Sequence, residues 1–518
     1  MPVRWLVATL LVLAAAPPAH AAESVWDQEA SGARKALDRS VDAGYITPAD
    51  QARYLGVLRY ARTVRDRVPR GRKLVLQNVL AQVARAKSPT APRALQLYTT
   101  LHENASYLDA HRLPPDGTDV TGPDGVVYRY FARQGLEFHP LANASALNGL
   151  VAAGDAASAQ ALADALAQRA VPLPGGALLW RYEFNFGSQR APWSSGMAQA
   201  VLAQALARAG SVDLARRAYA AIPGALDREL PAGPWIRLYS RSSALVLNAQ
   251  LQSAISIADY AELAHDDAAA AYADRLLSAA RALLPRFDTG HWSRYSLHVE
   301  SDLHYQDYVI DLLKTLASRT GDPAWQEAAD RFELYETQPP LLTGPSVSRQ
   351  VVPRPRDGVR DELTVRFFLS KISKVALVVD GKAVDGYRWH GGWHVFRWVP
   401  SGLAAGPHRV RLVASDPAGN PGSTDLGEFE LVRDTTAPEL SAAKANGRVY
   451  WRAKDRESRC CRLDLELSHP GDHRTVPVTR ARGSFAVPAG YWSVTVVARD
   501  AAGNRSDRRL GLVVGRPE

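Results

Sequence analysis

Cysteine is nearly absent from this chain: two occur in 518 residues, and they are neighbours, Cys460 and Cys461. A disulfide needs well-separated Cβ positions that face each other, so a bridge between adjacent residues is strained and rare. Such a pair cannot join distant segments, and it lacks the spacing of a cysteine metal site. We therefore expect the stability of the fold to come from hydrophobic cores.

Long apolar runs are also missing once the first residues are passed. Arg4 is followed by an apolar run over 5–16 and then by Pro17–Ala21, which ends in a small-x-small sequence. The run is shorter than the roughly 20 apolar residues of a membrane span, and this arrangement is typical of a secretory signal. We predict a cleaved signal peptide at 1–21, a secreted extracellular or cell-envelope protein, and no membrane span in the mature chain.

Lysine is scarce: it supplies nine of the 62 basic residues, and arginine supplies the rest. The net charge of +9 and the pI near 9.5 fit an anionic partner, either nucleic acid or an acidic glycan. Arginine binds carboxylates bidentately, although a genomic codon bias would give the same composition. The chain has no nucleic-acid motif, and export favours an acidic, uronate-containing polysaccharide. Because no glycine-rich phosphate loop and no metal-ligand spacing occur, we expect neither cofactor nor metal.

The first part of the chain, from about Ser24 to Glu336, carries the pattern of α-helices. Thr47 and Pro48 form a typical helix start, with Thr47 as the cap. Many short glycine and proline turns separate the segments, which favours antiparallel helices in an all-α barrel or solenoid. A β-hairpin is predicted near 118–132. The other predicted helices are 76–87, 91–110, 141–151, 155–169, 194–209, 212–220, 241–264, 267–285, 303–319 and 323–335.

The character of the sequence changes at Thr337–Pro340, after which strand-like runs appear. The runs at 375–379, 408–414 and 491–498 are apolar or alternating, as buried and half-buried strands are. This pattern predicts two tandem β-sandwiches, and it resembles bacterial immunoglobulin-like repeats. The predicted domains are a helical barrel at 22–337 and sandwiches at 338–434 and 435–518.

One motif closes both predicted sandwiches. It runs from Asp416 to Asn420 in the first and from Asp500 to Asn504 in the second, each time as Asp-x-Ala-Gly-Asn. Aspartates at such places usually form turns, and calcium binding is the less expected alternative. The segment 434–438 is the predicted linker between the two sandwiches.

Four stretches of the helical part are unusually polar and aromatic: 135–141, 191–199, 235–243 and 288–308. Loops that lead into helices at one end of a helical barrel converge on its central cleft. Residues distant in sequence can therefore meet there, and we expect a functional site in these four stretches.

Residues 128–334 resemble the C-terminal domain of the D-glucuronyl C5-epimerase family. The matching marks are Gly-Leu-x-Phe-His-Pro at 135–140, Pro-Trp-Ser-Ser-Gly-Met-Ala-Gln at 192–199, and a tyrosine before Val-Leu-Asn at 246–248. The set is completed by Asp-Thr-Gly followed by Tyr-x-Leu at 288–297, and by a tyrosine at the start of the last long helix. The resemblance implies an (α/α) toroid and an isomerase that inverts C5 of glucuronate units in a polysaccharide. Dimers occur among the related barrels, which suggests a homodimer.

The resemblance implies Tyr239, Tyr295 and Tyr305 as the catalytic set. A C5 proton beside a carboxylate becomes acidic when that carboxylate is neutralised, and one group must remove it while another delivers a proton from the opposite face. Tyrosine can do both if nearby cations lower its pKa from about 10. The implied substrate-binding residues are His139, Trp193, Arg237, Arg241, Arg294, His298 and His304.

Several positions depart from the family pattern, namely Ser194, Leu238, Ser296 and His298. These departures weigh against heparosan-type specificity. A polysaccharide lyase would use the same proton abstraction, and a glycoside hydrolase would need two carboxylates, for which Glu183, Glu300 and Asp302 are available. A non-catalytic glycan-binding or cell-surface protein is the remaining alternative.

Each candidate residue also has a structural explanation. His139 before a proline can hold a turn, and Trp193 and Trp292 can pack in the core instead of stacking on sugar rings. Asn248 fits a buried hydrogen-bond anchor. Asp288 most simply caps a helix or forms a turn.

Overall fold

The computed structural model describes residues 19–515, so residues 1–18 of the predicted signal peptide lie outside it. The chain forms two compact units. The first comprises 19–287, 294–298 and 308–329, and the second comprises 288–293, 299–307 and 330–515. Helices dominate up to residue 337 and strands dominate after it, so the predicted change of character at 337–340 is confirmed.

The helices of the structure agree in type with the predicted segments. The main differences are that α3 begins six residues before its predicted start at 76 and that α9 begins at Leu247 instead of 241. The helices are α1 (Ala19–Asp42), α2 (Pro48–Arg67), α3 (Arg70–Arg85), α4 (Ala91–Ala110), α5 (Pro140–Ala152), α6 (Ala156–Ala167), α7 (Gly196–Arg208), α8 (Val212–Tyr219), α9 (Leu247–Ala264), α10 (Asp267–Leu283), α11 (Leu303–Thr320) and α12 (Pro323–Thr337).

The first four helices form their own core. α1 packs against α3 and α2 against α4, and buried Trp26, Tyr54 and Tyr98 lie between them. The predicted start of α2 is confirmed: Asp50 N donates to Thr47 Oγ1 at 3.1 Å, and Thr47 N donates to Asp50 Oδ2 at 3.2 Å. This reciprocal pair satisfies two backbone donors at the helix start.

A second core lies among α5 to α10. α7 packs against α5, α8 and α9, and α9 packs against α10. Every residue of α7 from Gly196 to Ala207 is buried, which identifies α7 as an inner helix. α8, by contrast, buries only Ala215 and Ala218. The structure thus has inner and outer helices here, and closure into a toroid stays a prediction.

The predicted hairpin is present and has a third strand that was not predicted. β1 (Asp119–Thr121) pairs with β2 (Val127–Phe131), and β2 pairs with β3 (Gly135–Phe138). Buried Asn104 of α4 binds both backbone groups of Leu136, with Oδ1 accepting at 2.8 Å and Nδ2 donating at 2.7 Å. This side chain acts as an extra strand partner and holds β3 against the helices.

Short two-stranded sheets fill the loops of the helical part. They are β4 (Val171–Pro172) with β5 (Leu178–Leu179), β6 (Asp227–Leu230) with β7 (Gly233–Ile236), and β8 (Arg294–Ser296) with β9 (Val299–Glu300).

The strands that follow α12 form a segment with two sheets and one core, which we call the first β-rich segment (338–434). Its strands are β10 (Leu342–Val347), β11 (Gln350–Val351), β12 (Leu363–Leu369), β13 (Ser373–Val379), β14 (Lys382–Trp389), β15 (Gly392–Trp398), β16 (Gly406–Ser415) and β17 (Pro421–Leu431). The sheet orders are β10-β12-β15 and β11-β17-β16-β13-β14. Alternate residues of both sheets, such as Phe367 and Leu412, share the core.

The second β-rich segment (435–515) repeats this plan with fewer strands. They are β18 (Glu439–Ala445), β19 (Arg448–Lys454), β20 (Arg462–His469), β21 (Asp472–Val478), β22 (Arg482–Ala486), β23 (Gly490–Arg499) and β24 (Arg505–Gly515). The sheet orders are β18-β19-β22 and β21-β20-β23-β24. Cys460 and Cys461 form a disulfide beside the core of this segment.

The repeated Asp-to-Asn motif forms a turn in both segments, as predicted. Asn420 N donates to Asp416 Oδ1 at 2.8 Å, and Asn504 N donates to Asp500 Oδ1 at 2.9 Å. Each asparagine also reaches back along the chain: Asn420 Nδ2 donates to Glu336 O at 2.6 Å. Asn504 Nδ2 donates to Asp434 O at 3.3 Å. The motif therefore fixes the stretch that leads into its own segment.

No helix within residues 19–515 combines the length and the apolar composition that crossing a bilayer requires.

Candidate functional site

Three of the predicted site residues, His139, Trp193 and Tyr239, meet in one group of rings, which we call the aromatic cluster. Trp193 lies 5.5 Å from Tyr239 and stacks on Tyr182 at 4.0 Å between ring centroids. His139 lies 5.2 Å from the same Tyr182 ring. The full cluster consists of Phe131, His139, Tyr182, Phe184, Phe186, Trp193 and Tyr239.

Backbone hydrogen bonds hold the two loops of this cluster together. Ser240 N donates to Ser194 O at 2.8 Å, and Ser194 N donates to Ser240 Oγ at 3.1 Å. At the start of α7, Gly196 N donates to Arg237 O at 2.9 Å. A Cβ on Gly196 would lie 2.7 Å from Ile236 Cγ2, so only glycine permits this approach. The loop bearing Trp193 thereby fixes the position of Tyr239.

His139 caps a helix and carries no charge at neutral pH. Its Nδ1 accepts from Ala142 N at 3.0 Å at the start of α5. Burial, with nearby Arg129 adding to it, lowers the pKa of His139 to about 3. The turn-holding alternative therefore describes this residue, and His139 supplies no positive charge for a uronate.

Trp193 and Trp292 both pack in the core. Trp193 is 5% exposed, has one face covered by Tyr182, and donates from Nε1 to Phe184 O at 2.8 Å. Trp292 is fully buried and donates from Nε1 to Ser301 O at 2.9 Å. An indole that stacks on a sugar needs an open face, and Phe186, 40% exposed, is the open ring of the aromatic cluster.

Two buried carboxyl groups lie close to the cluster. Glu137 on β3 is 2% exposed, and Gln82 Nε2 donates to its Oε1 at 2.6 Å. Burial raises the pKa of Glu137 to about 8. Glu183 forms a bidentate pair with Arg93, whose Nη2 lies 2.9 Å from Oε2, and burial still raises its pKa. Glu137 was not among the predicted residues, although perturbed carboxyl pKa values often mark functional sites.

The segments of Tyr239 and Tyr295 are linked through the backbone. Ser242 N donates to Tyr239 O at 2.9 Å, and Val246 forms an isolated β-bridge with Ser296. Both tyrosines are partly buried and pack against the same hydrophobic core. The structure thus links the backbone segments that carry two of the three predicted catalytic tyrosines.

A cavity of about 710 Å³ lies beside these two segments. Ser242 and Ser296 line it together with the basic residues Arg228, Arg286 and His298. No carboxylate oxygen within the described part of the chain lies within 4.0 Å of either guanidinium. His298 was predicted, whereas Arg228 and Arg286 were missed because exposed arginines are common throughout this chain.

The predicted arginines Arg237, Arg241 and Arg294 do not line this cavity. Arg237 donates from Nε to Asp227 O at 2.8 Å, and Arg294 donates from Nη1 to Arg286 O at 2.9 Å. Both guanidinium groups therefore hold backbone carbonyls of neighbouring loops. Arg241 is exposed at the tip of its loop.

Tyr305 and His304 belong to the second compact unit. Tyr305 N donates to Asp302 Oδ1 at 3.0 Å at the start of α11, and the exposed His304 ring lies 5.7 Å from the Tyr305 ring. Burial, followed by the charge of Asp302, raises the pKa of Tyr305. This direction is opposite to the lowering by cations that a tyrosine base requires, and burial is its main cause.

The structure also locates Asp288, Asn248 and two of the carboxylates considered for hydrolysis. Asp288 forms a turn, as expected, since Gly290 N donates to its Oδ1 at 2.8 Å. Asn248 is buried, but its Oδ1 has no hydrogen-bond partner within residues 19–515, so only its burial is confirmed. Glu300 accepts from Gly391 N at 2.6 Å, and Glu183 is paired with Arg93, so two of the carboxylates considered for hydrolysis are already engaged.

Comparison with known proteins shows a family similarity over part of the chain. Residues 176–334 match the family described as D-glucuronyl C5-epimerase C-terminus. This stretch contains Tyr239, Tyr295 and Tyr305 as well as the residues of the 710 Å³ cavity. The resemblance seen in the sequence is confirmed, and a C5-epimerase-like function is supported. No curated protein matches the chain.

Several solved structures resemble parts of it weakly. The fibronectin(III)-like modules of CbhA from Clostridium thermocellum share 11% identity over 34% of this chain and 94% of their own, with a TM-score of 0.17. The endo-β-1,4-glucanase CMCax from Acetobacter xylinum shares 17% identity over 36% of this chain and 58% of its own, with a TM-score of 0.26. A bacterial ice-binding adhesin shares 16% identity over 34% and 66%, with a TM-score of 0.21. These values carry no argument about function.

Proposed function

We propose, from the match of residues 176–334 to the C-terminal domain of D-glucuronyl C5-epimerases, that this protein is an isomerase of that kind. It inverts C5 of uronate units in an acidic extracellular polysaccharide. That match is the single observation on which the proposal depends. The linked segments of Tyr239 and Tyr295, next to a basic cavity, support it from the structure.

The proposed reaction starts with neutralisation of the uronate carboxylate. Arg228 and Arg286 suit this role because both line the cavity and lack a carboxylate partner in the described part of the chain, and His298 adds a third donor. Once the carboxylate is neutralised, the C5 hydrogen becomes acidic enough for a tyrosine phenolate to remove it. The electron pair of the broken C–H bond moves into the carboxyl group.

A second tyrosine then returns a proton to the opposite face of C5, which re-forms the C–H bond with inverted configuration. No glycosidic bond breaks, and no oxidant or reductant is consumed. Tyr305 is the proposed donor by its position in the family pattern, within the matched residues 176–334. Tyr239 or Tyr295 is the proposed base.

The proposal includes the finer architecture. We infer that inner and outer helices close into an (α/α) toroid and that the two β-rich segments are immunoglobulin-like sandwiches. We also infer export through a signal peptide at 1–21, since a short apolar run there is followed by a small-x-small sequence.

The test is incubation of the protein with uronate polysaccharides in deuterated water. An epimerase incorporates deuterium at C5 without shortening the chain, which proton NMR of the recovered polysaccharide detects. A lyase would instead produce the ultraviolet absorbance of an unsaturated uronate, and a hydrolase would release reducing ends without it. Absence of exchange on every uronate polysaccharide that the protein binds would overturn the proposal.

Tyrosine variants assign the site within that assay. Tyr239→Phe, Tyr295→Phe and Tyr305→Phe should each lower the exchange rate by about 100-fold or more, the usual contribution of a general acid or base. Tyr450→Phe is the control, because Tyr450 is 42% exposed on β19 of the second β-rich segment. Full exchange in the first three variants would contradict the assignment of these tyrosines.

A further inference from the structure

Three arginines of the first β-rich segment lie at one cavity without a carboxylate partner. Arg349, Arg356 and Arg360 line a cavity of about 740 Å³, a volume within the usual range of ligand sites. All three side chains are exposed. Within residues 19–515, no carboxylate oxygen lies within 4.0 Å of their guanidinium groups. We call this site the arginine cavity.

The loop that carries two of these arginines is held by hydrogen bonds at its base. Val352 N donates to Arg360 O at 2.8 Å, which closes the loop where it returns to β12. The Arg360 guanidinium also donates to the amide oxygen of Gln350 on β11. The arginines therefore project from a connected backbone next to a sheet, which limits the ordering that ligand binding has to impose.

The carboxylates at the same cavity are already engaged. Asp361 accepts from Gly358 N at 2.8 Å, and Glu362 accepts from Arg397 Nη1 at 2.7 Å. The charge of Glu362 is neutralised by Arg397, whereas Asp361 keeps its negative charge, so three arginines face one remaining carboxylate at this cavity. The three arginines are thus left with a positive excess that calls for an anion.

A neighbouring cavity of about 690 Å³, which Arg349 also lines, contains carboxylates as well as arginines. There Arg409 Nη2 lies 2.7 Å from Asp425 Oδ2, and Glu428 adds a negative charge. That cavity is compensated, so the excess positive charge lies on the side of Arg356 and Arg360.

We propose that the arginine cavity binds a carboxylate-bearing sugar of an acidic polysaccharide, away from the tyrosines. A guanidinium holds a carboxylate through two parallel hydrogen bonds. Ser348, Gln350 and Thr364 line the same cavity and offer hydroxyl and amide groups to sugar hydroxyls. Naming the anion as a uronate rests on the proposed function, whereas the cavity and its charge do not.

Such a site would make the protein bivalent for its polysaccharide. A chain bound at the arginine cavity raises the effective concentration of its other sugars near the same protein molecule, and linked sites gain up to about 10²–10⁴ in avidity. We therefore expect long polysaccharides to bind more tightly per chain than short oligosaccharides.

The experiment is isothermal titration calorimetry of the full chain. The probe is an unsulfated hexasaccharide of alternating glucuronate and N-acetylglucosamine, and its carboxyl-reduced form is the neutral counterpart. The combined variant Arg356→Ala, Arg360→Ala should weaken hexasaccharide binding at one site by about 10-fold or more, the usual loss for hydrogen bonds to charged groups. The carboxyl-reduced sugar should bind the unmodified protein as weakly.

A matched variant controls for overall charge. Lys382→Ala, Arg388→Ala removes two exposed positive charges from β14 of the same segment and should leave binding unchanged. Equal loss in this control, an unchanged isotherm in the arginine variant, or equal affinity for the carboxyl-reduced sugar would each overturn the proposal. Tighter binding of a single-stranded oligonucleotide than of the hexasaccharide would overturn it as well.

C5 exchange on the same samples separates this inference from the proposed function. Arginine-dependent hexasaccharide binding without any C5 exchange would support the arginine cavity while the epimerase proposal fails. C5 exchange accompanied by arginine-independent binding would overturn the arginine cavity and leave the epimerase proposal standing.

Discussion

Lys371 and Asp416 form an ion pair inside the first β-rich segment, with Nζ and Oδ2 2.5 Å apart and side chains 1% and 0% exposed. Lys371 Nζ also donates to Tyr335 O at 2.7 Å and to Gln338 O, at the end of α12. Its ammonium lies 5.0 Å from the centroid of the Trp292 ring. A single buried cation thus joins three parts of the second compact unit.

Removing that cation should destabilise the protein strongly. Lys371→Met leaves the Asp416 carboxylate buried without its partner, which costs about 3–5 kcal/mol of unfolding free energy. Urea unfolding followed by circular dichroism measures this change. Lys374→Met, at an exposed position of β13, is the control and should stay within about 0.5 kcal/mol. Combining Lys371→Met with Asp416→Asn should recover part of the loss; a double variant as unstable as the single one would contradict the charge argument.

Gly196 should not tolerate a side chain. A Cβ at this position would lie 2.7 Å from Ile236 Cγ2, 2.8 Å from Leu226 O and 2.9 Å from Arg237 O. Gly196→Ala should therefore cost about 1–3 kcal/mol, as overpacking does, and it should lower C5 exchange by shifting the loop of Tyr239. Gly149→Ala is the matched control, since a Cβ there meets nothing within 4 Å in α5. If both variants had the same melting temperature, the packing at Gly196 would have been misjudged.

His139 should contribute to stability as a neutral cap. His139→Ala should cost about 1 kcal/mol, whereas His139→Asn keeps a cap acceptor and should cost less. Because the folded pKa is about 3, below the ordinary 6.5, the unfolded chain binds this proton first. The stability from His139 is therefore complete above pH 6.5 and falls as the pH drops towards 3. Urea unfolding between pH 4 and 8 should give a shallower profile for His139→Asn, and identical profiles would exclude this linkage.

Glu137 should give the opposite dependence of stability on pH. Its folded pKa of about 8 lies above the ordinary 4.5, so the folded protein keeps a proton that the unfolded chain releases. The stability that this carboxyl contributes is present below pH 4.5 and is lost as the pH rises through 8. Glu137→Gln, which can still accept from Gln82, should match the unmodified protein at pH 5 and exceed its stability at pH 9. A difference that does not change with pH would contradict the raised pKa.

The helical part was largely predictable because its signals are local. Thr47 and Asp50 mark a helix start through their own hydrogen bonds, and apolar residues at helical spacing mark most of the rest. The predicted start of α9 at 241 was wrong, although the residues at 241–246 are ones that a helix accepts. In the structure Ser242 bonds to Tyr239 and Val246 pairs with Ser296 instead. Those partners are set by tertiary contacts, which local spacing does not encode.

The candidate site was predictable only in part, for a similar reason. The tyrosines were found through a family pattern, yet the aromatic cluster joins Phe131, at the end of β2, to Tyr182 and Trp193 of the stretch between β5 and α7. Glu137 was not predicted because Leu-Glu-Phe alternates apolar and polar residues. In a half-buried strand that pattern would turn the glutamate towards solvent. All four residues of β3 are instead buried, since helices cover the face that alternation assigns to water.

The hydrogen bond from Asn420 Nδ2 to Glu336 O limits where the chain can be truncated. The last carbonyls of a helix need donors from elsewhere, and for α12 they come from Asn420 and Lys371, far downstream. Cutting the gene after residue 337 would therefore expose a helix end whose donors had been discarded. Experiments that transfer the helical part to another protein should retain the chain through Asn420, because the structural unit that completes α12 extends beyond the last residue of that helix.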